Sequence, residues 1–170
     1  MKTYQNQKVK GVTMQIRSVA LAILRRNRDE ILVQKITFPG HSTIYYRPIG
    51  GTVELGENSK TTLIRELKEE LNQEIEEPSL VAVIENIFGL EEIGHEIDFI
   101  YEAEFKDKRV YHCGEIEGIE GNEQYKAIWK SIHEFIEPEE DIKLVPDGLI
   151  EFLADQGSLN QQLITHIKTR

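Results

Sequence analysis

Glutamates crowd one short stretch of the chain: GGTVELGENSKTTLIRELKEEL, from Gly50 to Leu71, carries Glu57, Glu66, Glu69 and Glu70 behind a glycine pair. At about 100° of turn per helical residue, Glu66, Glu69 and Glu70 fall within an arc of roughly 100°. They lie beside an apolar stripe of Leu63, Ile64, Leu67 and Leu71. Carboxylates held that close on a half-buried surface repel one another and resist ionisation unless a cation stands among them. Hard divalent ions meet that need, and Mg²⁺ in particular takes oxygen ligands while keeping waters and substrate phosphates in its shell. The bland alternative is a solvated helix face, which is what glutamates on helices usually form.

The acids need a frame. Asn58 is a good N-cap, its side chain able to accept from an orphan amide of the first turn, and Asn72 suits the left-handed residue that ends a helix. The helix is therefore expected from 58 to 71. Ahead of it, residues 16–24 (IRSVALAIL) and 31–38 (ILVQKITF) read as a strand hairpin around a polar turn, and 44–51 (IYYRPIGG) as a third strand ending in glycines. Behind it, residues 79–90, 95–105 and 125–132 read as strands and 146–155 as a second helix, a mixed α+β order. Residues 114–124 (GEIEGIEGNEQ) read as an acidic, glycine-containing loop. The expected division is an N-terminal arm at 1–13, one domain over 14–156 and an extension of that domain at 157–170.

Composition narrows the function classes. The chain has 170 residues, 39% hydrophobic and 29% charged, which suits one globular domain. A formal net charge of -10 argues against binding to a nucleic-acid polymer, which calls for a basic footprint. The single Cys113 excludes an internal disulfide framework, and no apolar run reaches the roughly 18 residues of a membrane span. A soluble cytoplasmic protein without membrane or nucleic-acid partners is expected, with a homodimer left open.

The spacing Gly51-x5-Glu57-x7-Arg65-Glu66-Leu67-x-Glu69-Glu70 resembles the Nudix box of the Nudix hydrolases. Two positions depart from the pattern at its end, where Asn72 and Gln73 stand in place of the usual glycine and aliphatic residue. Asn tolerates the same left-handed backbone, and Ile75 is a candidate for the displaced apolar contact. The resemblance implies an α/β/α sandwich with a mixed sheet and a loop-helix catalytic motif. It further implies a pyrophosphohydrolase that attacks, with water, the pyrophosphate of a nucleoside diphosphate linked to another moiety. Carried over residue by residue, Gly50, through its carbonyl, and Glu57, Glu66, Glu69 and Glu70 would hold Mg²⁺, with Mn²⁺ as a substitute. Glu66 would be a ligand or the base that deprotonates water, and Arg65 would orient it. Family members also add a carboxylate from the loop before the strand that ends in tryptophan, here Trp129. Of Glu115, Glu117, Glu120 and Glu123, the expectation falls on Glu123 as the one nearest the strand, with Glu120 next.

Outside the box, Arg17, Arg47, Tyr45 and Tyr46 are candidates to grip phosphate and stack on a base, because guanidinium forks fit phosphate and aromatic faces stack on bases. Ordinary strand surface is the competing reading for each. His112 and Cys113 are adjacent and lack ligand spacing, and His95 reads as a strand-end residue. Two rival functions are a catalytically idle nucleotide-binding or regulatory protein of the same fold, and an acidic metal buffer. The first would be signalled by lost box acids and none is lost; the second would not require Arg65 or the glycine pair. Which nucleoside diphosphate derivative is cleaved is not written in the box.

Overall fold

Strand β1 (Arg17–Arg26) is buried along most of its length, so it must be covered on both faces. Its alternation divides the cover. Ala20, Ala22 and Leu24 join Leu63, Leu67 and Leu71 of helix α1 (Ser59–Leu71) on one side. Val19, Leu21 and Ile23 join Phe135 of α2 (Ile132–Ile136) and Leu149, Phe152 and Leu153 of α3 (Leu149–Asp155) on the other. The computed structural model describes residues 15–89, 93–155 and 165–168, and the arm at 1–13 and most of the extension at 157–170 lie outside them.

The remaining strands are β2 (Glu30–Ile36), β3 (Ile44–Thr52), β4 (Ser79–Phe88), β5 (Gly94–Ala103), β6 (Glu115–Glu120), β7 (Glu123–Ser131), β8 (Ile142–Leu144) and β9 (Thr165–Lys168). Across the sheet they run β6-β7-β2-β3-β1-β5-β4-β9, with β8 alongside β3. β1 runs parallel to β5, β3 to β8 and β4 to β9, while the other pairs are antiparallel. The result is the expected mixed sheet between helical layers.

Two features of this frame set the site. First, β3 changes partner along its length: Tyr45–Pro48 pairs with β2, and Ile49–Thr52 with β1, placing Gly50 opposite Leu21 and Gly51 opposite Ala20. Gly50 has φ 146°, and a Cβ there would stand 2.0 Å from the Ala20 carbonyl oxygen. Second, α1 is bounded as its sequence specifies. Asn58 accepts from the Thr61 amide at 3.0 Å, and Asn72 takes φ 52°. The missing aliphatic residue at 73 is made good by Ile75, which is buried in the α1-side core and bridges to Phe105.

Three expectations need correction. Ile64 is not in the apolar stripe but 42% exposed, because the buried arc runs from Thr62 through Glu70, Leu63 and Leu67 to Leu71 and is centred about 110° away from it. The second strand ends at Ile36 rather than at 38, shortly before Pro39 and Gly40 interrupt the chain. The acidic stretch 114–124 is not a loop: Glu115–Glu120 is a strand, turned back onto β7 through Gly121 (φ 61°) and Asn122. Ile116 and Gly118 face the core between outward glutamates, so the period-2 pattern was present but its glutamates read as solvated loop.

Candidate functional site

Arg65 is the hub of the acidic stretch. Its Nε and Nη2 donate to the two oxygens of Glu57, each at 2.9 Å, the bidentate arrangement that guanidinium and carboxylate planes favour. Its Nη1 donates to Glu66 at 2.9 Å and to Glu69 at 3.0 Å. The buried Thr62 hydroxyl adds a third bond to Glu57 at 2.8 Å. Arg65 first and Thr62 second hold the Glu57 carboxyl down at about 2, and Glu57 in turn makes Arg65 bind its proton more firmly.

Glu70 lies apart from that network. It is buried, and its Oε2 accepts from the Tyr125 hydroxyl at 2.5 Å. Burial pushes its carboxyl up to about 7; Glu120 and Glu66 add to the rise, whereas Tyr125 and Arg47 oppose it. Glu66 fits against β3 only because residue 51 is glycine, since a Cβ there would fall 2.3 Å from the Glu66 carboxylate. Arg47 lies beside both groups, with Nη2 3.5 Å from the Gly50 carbonyl oxygen and 3.9 Å from Glu120. Gln34, opposite Arg47 on β2, donates to the other oxygen of Glu120 at 3.0 Å. Buried Arg47 Nε and Gln34 Oε1 have no hydrogen-bond partner among the described residues.

The structure thus gathers Gly50, Gly51, Glu57, Arg65, Glu66, Glu69, Glu70 and Arg47 on the α1 side. It brings Glu120 to them through Gln34 and Arg47, and Glu123 faces Glu120 across the turn. Arg17 is paired with Glu96. Tyr46 is a core residue, packed edge-on against Phe135 with its centroid 5.6 Å away, so its ring is not presented to a base. Tyr45 packs against the exposed Phe38 at 5.5 Å. His95 stands 3.5 Å from Glu85. A cleft of about 940 Å³ is lined by Arg25, Arg26, Glu76, Glu104, Tyr111 and His112 and contains none of the box residues. Its arginines are paired with Glu102 and Glu30, so size alone does not make it the chemical centre.

Sequence reasoning did not single out Tyr125, Gln34, Thr62 or Asp98. The available signal was a polar residue inside an apolar strand run, as Gln34 is in ILVQKI and Asp98 in EIDFIY. Asp98 is 1% exposed, its Oδ2 has no hydrogen-bond partner among the described residues, and burial first and Glu96 second push its carboxyl up to about 7, against the pull of Arg47 and Arg17. A raised folded pKa means that the folded chain keeps a proton the unfolded chain releases, so stability falls as pH rises from about 4 to 7. Asp98→Asn is expected to raise Tm by roughly 5 °C at pH 8 and by clearly less at pH 5. Thermal melts in chelator check this, and equal shifts at both pH values would contradict it.

Among the described residues, no three His, Cys, Asp or Glu side chains converge closely enough to hold a metal ion as they stand. Arg65 accounts for much of that, since it draws Glu57, Glu66 and Glu69 to itself. The donor set nevertheless fits a hard cation. It is all oxygen, one member is a buried carboxyl with no cationic partner among its hydrogen bonds, and Gly51 leaves a cradle that a side chain would fill.

Comparison with known proteins agrees with this geometry. The model of the NUDIX domain matches residues 14–151. No curated protein sequence matches the chain. Among solved structures, a mutator MutT protein from Bacillus halodurans superposes with a TM-score of 0.59 at 20% identity, covering 89% of this chain and 90% of that one. A NUDIX hydrolase from Nitrosomonas europaea gives 0.57 at 18% identity, over 98% and 82%. An ADP-ribose pyrophosphatase from Streptococcus suis gives 0.56 at 13% identity, over 90% and 99%. At such identities these neighbours establish the fold alone, while the domain match spans most of the chain and includes the whole glutamate-bearing loop and helix: the chain belongs to the Nudix hydrolase family.

Proposed function

We propose that this chain hydrolyses the pyrophosphate linkage of a nucleoside diphosphate joined to another moiety, with Mg²⁺, or Mn²⁺ in its place, as the required ion. The observation that carries the reading is the buried Glu70 carboxyl within the field of Glu66, which itself lies against Gly51, with Arg65 fixing the neighbouring acids. A divalent ion at such a site lowers the pKa of water and neutralises charge on phosphate oxygens.

Glu69, Glu70 and the Gly50 carbonyl are the ligands proposed for it, with Glu57 and Glu66 completing the set. Glu66 serves as ligand or takes the proton from water, and a carboxylate so placed contributes about 10²–10⁴-fold. Arg65 orients Glu66 by the ion pair described above. Arg47 is the cation proposed to meet the substrate's phosphates; Arg17, held by Glu96, is the weaker candidate. The cytoplasm is the compartment proposed for it, and among the described residues no helix is long and apolar enough to cross a membrane.

The neighbours suggest which substrate to try first: an ADP-ribose pyrophosphatase points to ADP-ribose. A screen of ADP-ribose, dinucleotides and oxidised nucleoside triphosphates with Mg²⁺ or Mn²⁺, scored by phosphate-containing products, is expected to show turnover of one class. Stable substrates throughout, with an intact fold, would favour the idle nucleotide-binding reading instead.

A further inference from the structure

We propose that Tyr125 is a positioning residue for Glu70: its hydroxyl fixes the carboxyl so that one oxygen is committed and the other is left for a divalent cation. The assignment rests on the reading of Glu70 as a metal ligand given above. Two independent observations carry it. The first is the hydrogen bond itself, from Tyr125 Oη to Glu70 Oε2 at 2.5 Å, with Glu70 buried and Tyr125 half-buried. Arg65 does not reach Glu70; its hydrogen bonds go to Glu57, Glu66 and Glu69. Glu66 and Glu120 are both close enough to repel the Glu70 carboxylate. A neutral donor can hold this acid in place without cancelling the charge a cation needs.

The second observation is on the neighbouring strand. Tyr125 on β7 lies directly opposite Gly118 on β6. Glycine weakens a strand interior, and its presence in one marks a close approach of another group. Here a Cβ at 118 would stand 2.4 Å from Tyr125 Cζ and 2.7 Å from two further ring atoms. The ring therefore lies across the glycine, an aromatic covering a strand glycine, and this packing aims its hydroxyl at α1. Glycine at 118, tyrosine at 125 and glutamate at 70 form one chain of contacts from the outer strand of the sheet to the acidic helix. Partners that orient a ligand from behind are worth about 10–100-fold in metal affinity when removed.

The test is Mn²⁺ binding to the protein alone, by calorimetry, in wild type, Tyr125→Phe, Gly118→Ala, Glu70→Gln and the Tyr125→Phe/Glu70→Gln double variant, with Tm recorded for each. Tyr125→Phe is expected to bind Mn²⁺ at least about tenfold more weakly while remaining folded. Gly118→Ala, which displaces the ring and keeps the hydroxyl, is expected to weaken binding in the same direction. In the double variant the phenylalanine is expected to add nothing to the loss caused by Glu70→Gln. Unchanged Mn²⁺ affinity in Tyr125→Phe, even with a lower Tm, would reduce the tyrosine to a packing role. An equal loss with and without Glu70 would overturn the assignment as well. Wild-type protein that binds no Mn²⁺ would remove the metal reading and this assignment together, which separates the two failures.

Discussion

Glu70→Gln is expected to lower turnover at least a hundredfold at fixed Mg²⁺, about 2.7 kcal/mol of barrier, and at the same time to raise Tm at pH 8 in chelator. The two effects share one cause. The Glu70 carboxyl is buried and pushed up to about 7, so above that pH the folded protein holds a charge that burial penalises. Its destabilising contribution grows as pH rises from the ordinary carboxyl value through about 7 and is complete above it. The amide keeps the size and an acceptor for the Tyr125 hydroxyl, but it removes the charge that would hold the ion. Stability gained where function is lost is the pattern expected of a site whose groups are held in an unfavourable environment for their chemistry. Glu69→Gln supplies the contrast: Glu69 is 61% exposed, so the same loss of rate is expected without the gain in Tm. Excess chelator is expected to stop wild-type turnover, and Mg²⁺ to raise the Tm of wild type more than that of Glu70→Gln. A Glu70→Gln enzyme with wild-type rate and Mg²⁺ dependence would refute the ligand assignment. A loss of both rate and Tm would instead indicate damaged folding.

What the sequence disclosed about this site was local. Asn58 and Asn72 act on amides and backbone angles within their own helix ends, so their roles could be read from position alone. Ile75 could be named as the substitute for the missing aliphatic residue because it follows the helix exit closely. The spacing of Glu57, Arg65, Glu66 and Glu69 likewise encodes contacts within one loop and helix. The features it hid depend on partners far along the chain. Tyr46 looked available for a base until Phe135 and the second core covered it. Arg17 ranks below Arg47 as a phosphate ligand because β5 brings Glu96 beside it, a pairing the sequence did not announce. The β6–β7 hairpin was masked by its own glutamates, although Gly121-Asn122 is a turn signal. Helix α2 is a single turn secured by a Ser131–Glu134 capping box, and β8 is three residues long; both are too short for a periodic signal.

The hairpin also decides which acid outside the box matters. Glu120→Gln is expected to reduce turnover at least tenfold, about 1.4 kcal/mol of barrier, and Glu123→Gln to leave it near wild type. From sequence, Glu123 was favoured because an acid at the start of a strand is held more firmly than one in a loop. In the structure both acids end a strand, as partners across the two-residue turn, so that advantage disappears. Anchoring separates them instead. Glu120 accepts from Gln34 at 3.0 Å and lies 3.9 Å from Arg47, and its charge is felt by Glu70 and Tyr125. Gln34 is buried in β2 between β3 and β7, so its amide is a fixed post for an acid that is itself 55% exposed. An acid held in place has already lost the rotamer freedom that Glu123 would have to surrender on reaching the site. Gln replaces the charge and preserves size, so a rate loss in Glu120→Gln without a matching fall in Tm would assign the carboxylate to the reaction. Loss in Glu123→Gln with Glu120→Gln unaffected would reverse the assignment. Wild-type rates in both would confine the chemistry to the acids between residues 57 and 70.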